Sequence, residues 1–201
     1  MKIDTIVVGP IGTNCYILSN DKNEALIVDP GDHFKTIKSH LEEKALKPLA
    51  ILLTHGHFDH TGAVLKLIDE YGIETYGNKE EEPVFLEKKY SMALKPIIVD
   101  HLLNDGDVIT ISDFTFKMIS TPGHTLGGAC FYFEKEKTLF SGDSLFFESV
   151  GRTDFLGGST ATLQRNLKEK IMVLPDEVRV LPGHMEETTI GHERVNNPFL
   201  V

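Results

Sequence analysis

The hydrophobic and polar positions along the chain predict an alternation of short strands and amphipathic helices. The first thirty residues hold three short β-branched segments, interrupted by glycine, Asn-Asp or Pro-Gly, as expected for strands joined by turns. Residues 33–46 and 61–71 repeat apolar side chains at helical spacing, and Gly72 stands where the second helix would end. Between these helices, residues 48–55 form an apolar run that ends in polar residues, typical of a buried strand.

The second half of the chain returns to strand patterns. Residues 160–173 are predicted to form a helix with a threonine at its N-cap, and residues 177–184 a final strand followed by a short helix. Residues 78–96 are charged, and we expect a surface helix there. The remaining strand-like segments are 107–111, 114–121, 129–135 and 137–143.

The order of these elements favours a particular layering. Strands, helix, strand, helix, strands, helix, strand, helix suggest two sheets in the interior with helices outside, a four-layer α/β arrangement. The chain shows no internal repeat, low-complexity stretch or Pro/Ser linker. We therefore predict that residues 1–201 form a single domain.

Composition and charge exclude several classes of protein. Of the 201 residues, 41% are hydrophobic and 25% charged, the balance of an ordinary globular protein. The net charge of -10 disfavours nucleic-acid binding, and no apolar run approaches the roughly 18 residues of a membrane span. Asp4 and the lack of a long apolar stretch near the start disfavour a secretory signal. Cys15 and Cys130, in apolar surroundings, are predicted to be buried reduced thiols, which fits the cytoplasm. The oligomeric state stays open.

Four apolar runs end in loops that contain glycine or proline and carry histidine or aspartate. Chemistry tends to sit where strands give way to loops. One loop has the spacing H-x-H-x-D-H, two carry Pro-Gly-His and one carries Gly-Asp. The polar residues delivered in this way are His55, His57, Asp59, His60, His124, Asp143 and His184. The other four histidines, which lack such neighbours, are interpreted as surface or structural residues: His33, His40, His101 and His192.

This spacing suits a pair of metal ions. His55 and His57, two residues apart at a strand end, can point the same way and hold one ion, while Asp59 and His60 can face a second. Asp143 can bridge two cations through one oxygen. His124 and His184 would complete the two sets of ligands. We favour zinc, and iron or manganese would also accept these ligands.

A metal pair would also supply charge and a nucleophile. Two divalent ions carry four positive charges, and Asp59, Asp143 and a bridging hydroxide would remove three. The remaining charge of about one would attract an anionic substrate despite the acidic surface. A metal lowers the pKa of bound water to about 7, so that hydroxide would be available at neutral pH.

These residues resemble the metallo-β-lactamase superfamily of metallohydrolases, over nearly the whole chain, and the H-x-H-x-D-H motif is the strongest signature. The resemblance implies a four-layer αββα sandwich, two mixed sheets flanked by helices, with the metals at one edge of the sheets. It also implies that Asp143 bridges the two ions and that Asp29 supports the loop that carries the H-x-H-x-D-H ligands. Asp29 equally fits a turn at the end of a strand. The implied ligand sets are His55, His57 and His124 for one ion and Asp59, His60 and His184 for the other.

Two segments, GDSLFFESVGRTDFLGG and LPGHMEETTIGHERVNNPFL, resemble the glyoxalase II branch. They imply hydrolysis of a small-molecule thioester, S-lactoylglutathione or a similar acyl-thiol, by attack of a metal-bound hydroxide that Asp59 helps to orient. Arg152 stands where that branch has a basic substrate-contacting residue, and an ion pair with Asp154 is the alternative. Larger members carry a C-terminal helical domain that grips glutathione. This sequence stops soon after His184, which weakens the expectation of glutathione specificity.

Two other functions are compatible with the motifs. Persulfide dioxygenases, which oxidise sulfur with a single iron, also resemble this chain, including its G-R-T-D-F segment; here the iron would be held by His55, His124 and Asp143. The complete second ligand set favours hydrolysis. A non-catalytic metal-binding module is the third possibility. A secreted β-lactamase would need an export signal, and an RNA-processing nuclease a basic surface.

Overall fold

A computed structural model describes residues 1–200, which form two six-stranded mixed sheets and a short ribbon. The first sheet contains β1 (Lys2–Val8), β2 (Thr13–Ser19), β3 (Glu24–Val28), β4 (Lys47–Leu53), β5 (Glu74–Asn78) and β6 (His101–Leu103), in that order. Next come β7 (Val108–Ile111), β8 (Phe114–Ser120), β9 (Ala129–Phe133), β10 (Thr138–Gly142), the ribbon strands β11 (Leu145–Phe146) and β12 (Ser149–Val150), β13 (Arg179–Pro182) and β14 (Thr188–Thr189). The second sheet has the order β14-β13-β10-β9-β8-β7.

Strand direction brings the ends of several strands to a common edge. In the first sheet β1, β2 and β3 are antiparallel, and β3, β4, β5 and β6 are parallel. In the second sheet β10 and β13 are parallel, with Gly142 opposite Pro182, while the other pairs are antiparallel. Because β10 and β13 run the same way, the loops that follow them leave the sheet side by side.

The helices lie outside the sheets and are short. They are α1 (Phe34–Glu43), α2 (Phe58–Thr61), α3 (Val64–Tyr71), α4 (Glu82–Leu86), α5 (Lys88–Ser91), α6 (Thr160–Asn166) and α7 (Ile190–Asn196). A 3-10 turn covers Lys79–Glu81, and a π-helical turn, Leu167–Ile171, extends α6. Within residues 1–200, every helix falls short of the length and hydrophobicity that crossing a lipid bilayer requires.

Three apolar clusters separate the layers and confirm the αββα sandwich. Between the sheets lie aromatic side chains such as Phe116, Phe131 and Phe140. A second cluster packs α1 and α3 against the outer face of the first sheet, and a third packs α6 and α7 against the second sheet. All seven residues of β2 are buried, because successive side chains point into different clusters: Cys15 and Ile17 outward, Tyr16 and Leu18 between the sheets.

Three local predictions need correction. The predicted helix over residues 61–71 starts later, as α3 at Val64, because Thr61 closes the separate short helix α2; its end at Gly72, in the left-handed conformation with φ 62°, is as predicted. The N-cap of α6 is Ser159, whose hydroxyl accepts a hydrogen bond from the Thr162 N–H, rather than a threonine. Residues 78–96 do not form one surface helix: a 3-10 turn and the short helices α4 and α5 replace it, and Glu81 and Phe85 among them are buried.

Candidate metal centre

The loop after β4 is held in place by Asp29, which lies at the end of the neighbouring strand β3. Its carboxylate accepts hydrogen bonds from Thr54 N, at 2.8 Å, and Thr54 Oγ1, at 2.6 Å. The same carboxylate lies 3.0 Å from His60 Nδ1. With Nδ1 donating to Asp29, the Nε2 lone pair of His60 is left free for another partner. Asp29 thus lies at a strand end and also orients His60.

Three buried histidines from two loops bring their ring nitrogens together. His55 Nε2 lies 3.1 Å from His57 Nδ1, which lies 3.0 Å from His124 Nε2. These three side chains form a group that could hold a metal ion. Tetrahedral ligands at the usual Zn–N distance are about 3.3 Å apart, close to the separations seen here. The donor set therefore fits a divalent transition metal.

A second cluster adjoins the first. Asp59, His60 and His184 bring one ligand atom each to a common point. His184 Nε2 lies 3.2 Å from Asp59 Oδ2 and 3.4 Å from His60 Nε2. Asp59 and His60 begin α2, whereas His184 follows β13, so the sandwich brings together residues more than 120 positions apart.

Asp143 lies between the two clusters, at the end of β10. Its Oδ1 lies 3.3 Å from His60 Nε2, and its Oδ2 lies 3.6 Å from both His124 Nε2 and His184 Nε2. The Oδ1 atom is buried and makes no hydrogen bond within residues 1–200. A buried carboxylate oxygen without a donor is costly, and a cation held by the adjacent cluster would satisfy it.

Burial sets the protonation of the first cluster. It lowers the pKa of His57 to about 4, and the neighbouring His124 adds to the effect. Burial lowers the pKa of His55 and His124 as well. For Asp143, burial opposes ionisation, but His60 and His124 hold its pKa below the usual range. At neutral pH the cluster thus offers neutral imidazoles and an anionic carboxylate, the forms that bind metals.

His124 is oriented by the backbone of the segment that follows the ribbon. Its Nδ1 donates to the carbonyl oxygen of Arg152 at 2.7 Å, which leaves Nε2 facing His57. The Arg152 side chain lines the neighbouring cleft, and it also forms the ion pair considered as the alternative. Its Nε and Nη2 donate to the Asp154 carboxylate, each at 2.7 Å, and the guanidinium lies 4.1 Å from the Phe155 ring centre.

Glu81 joins the two loops that carry the first cluster. Its Oε1 accepts from Gly56 N at 2.9 Å and its Oε2 from Gly127 N at 2.6 Å. The side chain is fully buried, and this burial raises the pKa of Glu81 to about 7. Glu81 could not be recognised from the sequence, because no signal separates it from the adjacent acids Glu80 and Glu82.

An apolar cleft of about 580 Å³ opens onto both clusters. Sequence reasoning did not identify its apolar lining, since these residues come from separate loops with no common motif. The main apolar side chains are Ile11, Phe58, Met92, Phe146, Phe155 and Met185. The histidines interpreted as structural lie elsewhere: His40, His101 and His192 pair with Asp4, Glu74 and Glu148, and His33 precedes α1.

The αββα sandwich and the His/Asp clusters at the strand ends define a protein of the metallohydrolase class. Such clusters suit divalent metal ions. The family model for the metallo-beta-lactamase superfamily matches residues 8–184, and the chain belongs to this family.

Two relatives match along their whole length. The hydroxyacylglutathione hydrolase GloC of Haemophilus influenzae is 34% identical over 208 residues, covering 100% of this chain and 98% of that protein. The probable metallo-hydrolase YqgX of Bacillus subtilis is 38% identical over 207 residues, with coverages of 100% and 98%.

Solved structures show the same fold. The BLEG-1 B3 metallo-beta-lactamase superposes with a TM-score of 0.93 at 42% identity, covering 99% of both chains. TTHA1623, in a di-iron-bound form, gives a TM-score of 0.85 at 34% identity, covering 98% of this chain and 100% of that one. ETHE1 from Myxococcus xanthus shares the fold, with a TM-score of 0.83 at 24% identity and coverages of 100% and 84%.

Proposed function

We propose that this protein is a metal-dependent thioester hydrolase, with S-lactoylglutathione or a similar acyl-thiol as substrate. The observation that carries the proposal is the pair of adjacent three-residue clusters with Asp143 between them, beside an apolar cleft. The name of the Haemophilus influenzae relative, hydroxyacylglutathione hydrolase, supports the choice of a thioester.

Seven side chains would hold two divalent ions. The first ion would be bound by His55, His57 and His124, the second by Asp59, His60 and His184, and both by Asp143. Bound ions would polarise the substrate carbonyl and lower the pKa of a water molecule to about 7. We propose zinc, with iron or manganese as alternatives that the di-iron-bound relative makes worth testing.

Protein groups around the clusters would position the reactants. Asp59 Oδ2, already 3.2 Å from Thr13 Oγ1 and from His184 Nε2, can accept a hydrogen bond from the attacking water and orient it. The thiolate leaves readily because its conjugate acid has a pKa near 8.5, so the site needs no strong general acid. Arg152, on the cleft wall, can donate hydrogen bonds to oxygen atoms of the acyl half of the substrate when it releases Asp154.

The test is turnover by purified protein loaded separately with zinc, iron or manganese. We expect cleavage of S-lactoylglutathione, followed by the loss of its thioester absorbance, and loss of turnover in His57→Ala. His101→Ala, which changes a histidine outside the clusters, should retain it. If no metal form cleaves any member of a panel of acyl-thioesters, the proposal is wrong.

Metal content and oxygen uptake, measured on the same metal-loaded protein, separate the two alternatives. A persulfide dioxygenase would hold one iron, at His55, His124 and Asp143, and would consume oxygen with glutathione persulfide. The adjoining cluster of Asp59, His60 and His184 favours hydrolysis, because an enzyme with a single iron would leave these three residues without a metal ion to bind. A non-catalytic metal-binding module would bind metal and turn over none of these compounds.

A further inference from the structure

The apolar cleft that opens onto both clusters, here called the metal cleft, adjoins a second cleft of about 430 Å³. Phe58 and Met92 line both, so the two clefts meet at these side chains. Phe58 lines the metal cleft together with His57 and Asp59, so the junction lies beside the clusters. Each cleft is in the range of about 300–1,000 Å³ that small-molecule sites occupy.

The walls of the second cleft are fixed by packing. Met92 N donates to Lys88 O at 2.8 Å, and Ile97 N donates to Phe85 O at 2.9 Å. Ile97 and Phe85 are both buried. On the opposite side, a side chain at Gly62 would collide with the carbonyl of Gly31, so backbone lies against backbone there. Packing therefore fixes the cleft at Ile97 and at the Gly31–Gly62 contact, while the side chain of Leu94 on its rim is exposed.

The lining has the chemistry of an anion site with an apolar part. Lys66 and Lys95 lie on it, and within residues 1–200 no carboxylate comes within 4.0 Å of either ammonium group. Asp32 is the only acid among the described lining residues, and its Oδ1 accepts from His33 N at 2.6 Å. Two positive charges thus face one negative charge in a chain whose net charge is -10.

A thioester has two halves, and both need space on opposite sides of the reacting carbonyl. With the carbonyl at the clusters, one half can occupy the metal cleft, and the adjoining cleft beyond Phe58 and Met92 offers space for the other. We propose that the lysine cleft, defined by Leu65, Lys66, Leu94 and Lys95, binds the thiol half of the substrate through its carboxylate or phosphate groups. This inference rests on the proposed thioester hydrolase function.

Binding of non-hydrolysable thioethers tests the lysine cleft without relying on turnover. S-hexylglutathione and S-hexyl-coenzyme A carry carboxylates and phosphates respectively, and S-hexyl-N-acetylcysteamine carries no charge. Calorimetry on the metal-loaded protein should show that Lys66→Ala and Lys95→Ala each lower the affinity for at least one anionic thioether by about two- to fivefold. The double variant should lower that affinity by about tenfold. A loss of affinity for S-hexylglutathione would show that the cleft binds carboxylates, and a loss for S-hexyl-coenzyme A that it binds phosphates.

An uncharged ligand and a lysine outside the cleft serve as matched controls, for which we expect little or no change in affinity. The uncharged thioether should change less than about twofold in all variants, and Lys168→Ala, an exposed lysine without an ion pair within residues 1–200, should leave all three affinities unchanged. Failure of wild-type protein to bind either anionic thioether overturns the inference, and so does equal weakening of the charged and uncharged ligands. Hydrolysis of a neutral thioester without such binding would leave the proposed function standing. Lysine-dependent binding of an anionic thioether, without hydrolysis of any thioester, would reject the proposed hydrolase function but support the lysine cleft as a binding site for anions.

Discussion

Replacing Glu81 by alanine should loosen the two loops that carry His55, His57 and His124. The fully buried carboxylate accepts hydrogen bonds from the backbone of Gly56 and from that of Gly127. Without it, two N–H groups are left buried with no acceptor, at about 1–3 kcal/mol each. We therefore expect the free energy of unfolding to fall by about 2–6 kcal/mol.

The pH dependence follows from the pKa of Glu81. Burial raises this pKa to about 7 from 4.5 in an exposed carboxyl. Because the folded-state value is the higher one, the associated stability is fully present below pH 4.5 and is lost as the pH rises through about 7. The cost of Glu81→Ala should thus be about 1 kcal/mol larger at pH 6 than at pH 8.

The assay is urea unfolding of metal-stripped protein at both pH values, followed by circular dichroism. Glu81→Gln keeps one carbonyl acceptor and should recover part of the loss. Glu82→Ala removes the carboxyl of an exposed neighbour and should stay within about 0.5 kcal/mol of wild type. A cost of Glu81→Ala below about 0.5 kcal/mol, or a larger cost at pH 8 than at pH 6, refutes the reasoning.

Three further outcomes are expected. His184→Ala should reduce the metal content, measured by mass spectrometry, from two ions to one, and a variant that still holds two contradicts the second site. Gly183→Ala places a Cβ against Asp143 Oδ1, so chelator competition should show metal affinity at least about tenfold weaker; wild-type affinity would count against this packing. Burial raises the pKa of Cys130 to about 11 and that of Cys15 further, so Ellman's reagent at pH 8 should label both only after unfolding.

Much of the fold could be predicted because its strands are apolar and sharply bounded. The runs that became β9 and β10 are buried throughout, β4 is buried towards its end, and β8 alternates buried and exposed residues before a buried end. Residues 78–96 could not be predicted in the same way. There the buried Glu81 and Phe85 alternate with exposed charged residues over turns too short to show a helical period.

In the candidate site, too, some residues could be predicted from the sequence and others could not. His55, His57 and Asp143 stood out because polar ligand types follow apolar strands, and the fold places them together with the other predicted residues. Glu81 and the apolar lining of the clefts did not stand out, since their roles depend on contacts between segments distant in the chain. The resemblance implies that Asp29 supports the metal loop, but the residues alone equally fit a strand-end turn, because its bonds to Thr54 and His60 are tertiary contacts.

The most direct test of the two-metal centre is anomalous diffraction from crystals of the metal-loaded protein. We expect two peaks, one within coordination distance of His55, His57 and His124 and the other within that distance of Asp59, His60 and His184, with Asp143 reaching both. A map with no peak among these side chains, although the soaked metal is found elsewhere in the crystal, would contradict the account.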